Sequence, residues 1–163
     1  MIYRTDKVIE GPWIRLSLDV FFDKAKASQS DMKAMLDSIV YAREVFQSAR
    51  ILPSQGDRIA SALHLIQMEV LELLSVTARM PESLSPSRFS LVSELSKVDT
   101  LLNDLLLLIP PSRPGSPTSP YDAIGQRQEI QRKFALLVQA FEDVLQELSI
   151  LLDKALFSGA TSR

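Results

Sequence analysis

The chain has 163 residues, 46% of them apolar, with 18 Lys and Arg against 20 Asp and Glu. This length fits one domain able to bury its own core, and the charge balance lacks the basic excess of a duplex-binding domain. The absence of cysteine excludes disulfides, zinc–thiolate sites and thiol catalysis.

Met1 to Glu10 reads as an irregular, polar lead-in without the apolar core of a signal peptide. No uninterrupted apolar run reaches the roughly 18 residues of a membrane span. The expectation is an intracellular, cytoplasmic, soluble protein. Gly11-Pro12 is a break. From Trp13 to Ala27 two periods compete. Ile14, Leu16, Leu18, Val20 and Phe22 alternate as in a strand, whereas Ile14, Leu18, Phe21, Phe22 and Ala25 fit a helical face. Helix is preferred, because a lone strand lacks a partner and Asp23 to Ala27 is a good helix-forming run. Ser28-Gln29-Ser30-Asp31 supplies capping residues for a second helix to about Arg50. Its inner side carries Met32, Met35, Leu36, Ile39, Val40, Ala42, Phe46 and Ala49.

Pro53 to Gly56 is read as the stop of that helix. Asp57 then caps a helix from about Arg58 to Arg79, with Ile59, Ala62, Leu63, Ile66, Val70, Leu73 and Leu74 on one face. After Met80-Pro81 and a serine-rich loop, a helix from Arg88 to Ile109 presents Leu91, Leu95, Val98, Leu102, Leu105 and Ile109. Its Leu101–Ile109 end is apolar almost all round and is expected to be buried on more than one side.

Pro110 to Pro120 contains five prolines in eleven residues and cannot be helical. Its Ser-Pro and Pro-x-x-Pro spacings read best as a plain spacer. Extended at roughly 3.1 Å per residue it spans about 34 Å, close to the length of the preceding helix. A crossover that leaves the last helix parallel to its predecessor is therefore open beside an antiparallel hairpin. The last helix starts between Tyr121 and Ile130, with Gly125 as a weak point, and ends near Phe157. Its apolar residues recur every seven positions in three rows: Phe134, Phe141, Leu148 and Ala155; Leu137, Val144 and Leu151; Val138, Leu145 and Leu152. The merged stripe is wider than a two-stranded coiled-coil seam and suits a bundle. The fold expected is an all-α, single-domain bundle (residues 1–163) of four long helices plus a shorter N-terminal element.

Motifs of chemistry are weak. His64 is the only histidine, which excludes a paired Glu-x-x-His di-iron site. Glu69, Glu72 and Asp104 could face a cation across helices, but solvated charge explains them better. Arg127, Arg132 and Lys133 cluster where the last helix begins, where cations oppose the helix dipole. They are candidate contacts for an external anion, with a solvated turn as the simpler reading. Glycine-rich phosphate loops are absent. The oddity is surplus apolar residues off the main stripes: Leu106, Leu107, Leu136 and Ile150 as a candidate interaction surface, with Leu65, Met68 and Leu71 beside them.

The sequence therefore points to a non-catalytic interaction or structural subunit with no cofactor, presenting an apolar helical face to another protein or to a second copy. Two alternatives stand behind it. One is a bundle that engages a membrane surface by releasing an N-terminal helix with Trp13, Phe21 and Phe22. The other is a self-assembling coat or filament subunit. Nucleic acid is not favoured.

Overall fold

The computed structural model of the chain describes residues 16–48, 51–81, 84, 88–109 and 124–161, with side chains of the last helix to Lys154. The lead-in to Arg15, most of the serine-rich loop, the Pro110–Pro120 spacer and the Ala155 and Phe157 side chains lie outside the described residues. The described residues form four helices and no strand: α1 (Leu18–Gln47), α2 (Pro53–Ala78), α3 (Arg88–Leu108) and α4 (Ile124–Thr161). This is the all-α helical bundle that the periodicity predicts.

The helices close a ring. α1 packs on α2 and α4, α3 packs on α2 and α4, and among the described residues the diagonal pairs do not meet. Direction follows from hydrogen bonds. Gln131 Nε2 donates to the Phe46 carbonyl at 2.6 Å and Gln29 Nε2 to Ser149 Oγ at 2.8 Å, so α1 and α4 are antiparallel. Gln126 Nε2 donates to the Leu108 carbonyl at 2.8 Å, and Lys133 Nζ lies 2.8 Å from Asp104 Oδ2. α3 and α4 are therefore antiparallel too, and of the two topologies open to the sequence the structure takes the hairpin, not the crossover.

Each helix turns a seam of four-three spacing to the centre. On α3 it is Leu91, Leu95, Val98, Leu102 and Leu105, all buried, with Ile109 beyond. On α4 it is Ile130, Phe134, Leu137, Phe141, Val144, Leu148 and Leu151. The third row expected on α4 lies at the seam's edge, with Val138 and Leu152 just inside and Leu145 half-buried. Phe134 stacks on Phe46 with ring centroids 5.6 Å apart and planes 28° off parallel, which locks α4 to the end of α1. Thr77 is the buried polar residue of the core, and its hydroxyl donates to the Leu73 carbonyl at 2.7 Å.

Three boundaries differ from the sequence reading. α4 runs through Ser158-Gly159 to Thr161, past the end expected near Phe157. The segment that included Phe21 and Phe22 is not a separate N-terminal element, since Leu18 to Gln47 is one helix of 30 residues capped by Ser17. The reason is register. Phe21, Ala25, Ser28, Met32, Met35, Ile39, Ala42 and Phe46 continue one four-three seam through the supposed cap, with Ser28 half-buried in line. The long α4 needs that length opposite it, because Ser149 already lies level with Gln29 and the buried Leu151 and Leu152 follow on the turn beyond. At the other end, Pro53 to Gly56 does not stop a helix; it opens α2. Proline at the first helical position sacrifices no intrahelical bond. Gln55 Oε1 accepts from the Leu52 N–H at 2.8 Å, which occupies one of the free donors at the helix start. Gly125 likewise lies within the first turn of α4, with open space where a Cβ would go.

Phe141 is fully buried and Glu142 beside it is exposed. In a urea titration Phe141→Ala is expected to cost about 3–5 kcal/mol and Glu142→Ala less than about 0.5 kcal/mol; equal losses would mean that the seam is misassigned. Ser28 separates a cap from a continuous helix. Ser28→Ala would cost about 1 kcal/mol at an N-cap. Inside a helix the same change is expected to raise the melting temperature, because alanine is the better helix former.

Candidate functional site

The basic residues at the start of α4 are engaged by the chain itself. Arg127 Nη1 donates to the Ser48 carbonyl at 3.1 Å, at the end of α1. Arg132 forms two bonds to Glu129, at 2.6 and 3.1 Å, which hold the Glu129 carboxyl below the usual carboxylate range. Lys133 crosses to Asp104 on α3. A cation at the start of its own helix opposes that helix's dipole, but here it faces the carbonyl end of an antiparallel neighbour, where positive charge is favoured. Only the packing of α1 against α4 reveals that partner.

The four candidate surface residues do not form one patch. Leu106 is half-buried against the core, whereas Leu107 is 84% exposed on the outer side of α3. At least one of the two had to point away from the seam, since consecutive helical residues lie about 100° apart. Leu136 is 44% exposed and lines a shallow groove between α3 and α4, together with Leu101, Ala140 and the polar ends of Lys97, Lys133 and Asp143. Ile150 is partly exposed near the far end of α4.

A tighter grouping lies on α2. Leu65, Met68 and Leu71 are 64%, 67% and 49% exposed. Their spacing of three places them on adjacent turns of one outer face, opposite the buried Ile59, Leu63, Ile66, Val70 and Leu73. His64 and Glu72 are exposed on the same side. α2 is therefore apolar on two sides. By length and composition it is the one helix among the described residues that could cross a membrane, although part of it is core. Reading for uninterrupted apolar runs hides this, because Glu69 and Glu72 interrupt the run while its average stays high. Beside this face, α1 and α2 leave an apolar cavity of about 190 Å³ where Ala42 and Ala62 line the gap.

Glu69 stands at the edge of the face, half-buried. Burial raises its carboxyl above the ordinary value, and the nearby charges of Glu72 and of Asp31 on α1 raise it further. Among the described residues no cluster of three metal-ligating side chains is present. No family model matches the chain, and neither the curated proteins nor the solved structures contain a significant match to it.

The raised carboxyl of Glu69 fixes a sign. An acid whose folded-state pKa lies above its unfolded value destabilises the fold once it ionises, so stability falls as pH rises through the carboxylate range. Glu69→Gln is expected to stabilise the protein slightly at pH 7 and to have a smaller effect at pH 3, where both forms are neutral. Melting temperatures at the two pH values check this; a loss of stability at pH 7 would contradict it.

Proposed function

We propose that this bundle is a non-catalytic interaction or structural subunit, and that the outer face of α2 is the surface it presents to another protein or to a second copy. The observation that carries the reading is the exposure of Leu65, Met68 and Leu71 together on a helix whose opposite side is already core. Scattered surface leucines need no explanation, whereas adjacent large apolar side chains on one face mark an interaction site. Burying one such side chain contributes roughly 1.5–3 kcal/mol, so the three together offset a substantial part of the cost of association.

A membrane surface is the second reading, favoured by the overall apolar character of α2. The flanks of the face argue against it. A helix lying on anionic lipid carries Lys and Arg beside its apolar face, and here Glu69 and Glu72 stand there. Release of the start of α1 fits less well still, since Phe21 is in the core.

The test is affinity capture from the source cells with wild type and with Leu65→Glu/Met68→Glu, read by mass spectrometry, beside co-sedimentation with anionic liposomes. The proposal expects proteins retained by wild type and lost with the variant, unchanged helicity by circular dichroism, and no pelleting. Identical retention by both forms would remove α2 from the reading, and pelleting of wild type alone would transfer the face to a membrane.

A further inference from the structure

The outer face of α2 is self-complementary about one residue, Met68. Counting outward along the helix, Leu65 and Leu71 are equidistant from it, and so are His64 and Glu72. The same holds for Ser61 and Ser75. A helix laid antiparallel on an identical helix, with a twofold axis through Met68, brings each residue level with its counterpart in the other copy. Leucine then meets leucine on both sides of a central methionine pair. The His64 imidazole, a donor, lies level with the Glu72 carboxylate, an acceptor. No like charges meet across this pairing. A parallel pairing in register would instead set Glu72 against Glu72, and like charges at close range are unfavourable. Charge complementarity thus selects both the occupant and its direction.

We infer that the outer face of α2 pairs antiparallel with the same face of a second copy of this chain, across a twofold axis at Met68. This rests on the proposal that α2 presents an interaction surface, and specifies its partner. The pairing is modest in size. From Asp57 to Ala78 the face is about 32 Å long, and a helix face some 10–12 Å wide buries on the order of 400 Å² per copy, about half the standard 800 Å². The dimer is therefore weak and concentration-dependent, and becomes the main species only at high protein concentration.

The chain has no cysteine, so single-cysteine variants report the geometry without background. Only a residue on the twofold axis meets itself. Met68→Cys is expected to form an intermolecular disulfide under mild oxidation at least tenfold faster than Leu107→Cys, which is more exposed but lies on α3. A mixture of Leu65→Cys and Leu71→Cys chains is expected to cross-link between the two variants more than within either one. In analytical ultracentrifugation, His64→Glu puts two carboxylates level and is expected to raise the dissociation constant at least tenfold. Adding Glu72→Lys restores opposite charge and is expected to bring it back to within about threefold of wild type, an effect that loss of folding cannot mimic. If Met68→Cys cross-links no faster than Leu107→Cys, or if wild type sediments as a monomer up to millimolar concentration, the homodimer is wrong. The broader reading of α2 as an interaction face then stands or falls separately, on the capture experiment with Leu65→Glu/Met68→Glu.

Discussion

Everything in this bundle hangs on the pairing of α1 with α4. These are its two longest helices, they run antiparallel, and the Phe46–Phe134 stack pins one end while Gln29 and Ser149 meet toward the other. Four-three spacing keeps a seam facing its neighbour for as long as the helices stay nearly aligned. α1 keeps that spacing from Phe21 to Phe46 and α4 from Ile130 to Leu151. The shorter α2 and α3 complete the ring against this frame. A break in α1 at Ser28 would leave the far turns of α4 without cover, which is why a serine-rich stretch that looks like a helix start is carried through as helix.

The first turns of α4 perform a second task. Gln126 donates to the last carbonyl of α3, while Gln131 and Arg127 donate to carbonyls at the end of α1. The final carbonyls of a helix have no partner within it, so α4 supplies from its own side chains what its neighbours lack. The basic residues there thereby join the architecture: Arg127 sits at the negative end of antiparallel α1, while Arg132 and Lys133 pair with Glu129 and Asp104. The same residues read in isolation resemble an anion site.

α2 departs from the pattern of the other helices. Its inner side is ordinary seam, with Thr77 satisfying its hydroxyl on the helix's own backbone. Its outer side carries large apolar residues where solvent-facing helices carry charge. The helix also leaves a cavity against α1, where Ala42 and Ala62 face the gap among larger residues such as Ile39 and Leu63. The proposed association rests on this second apolar face, and the proposed homodimer on the near-mirror order of residues about Met68.

The sequence by itself determined the fold class, the seams of α3 and α4, and the residues that fill them, because a helix converts spacing directly into a face and burial follows from that face. It also showed that Leu106 and Leu107 cannot both join a seam. It did not determine where α1 and α2 begin, since serine, aspartate, proline and glycine punctuate a helix in some surroundings and are carried inside one in others. The choice depends on what lies opposite. Nor could it reveal that Arg127 faces the carbonyl end of α1, or that Leu65, Met68 and Leu71 stay uncovered while Leu106 packs down. Exposure is a property of neighbours distant in the chain. The antiparallel course of α4 decided those neighbours, and the reach of the proline-rich spacer allowed either course.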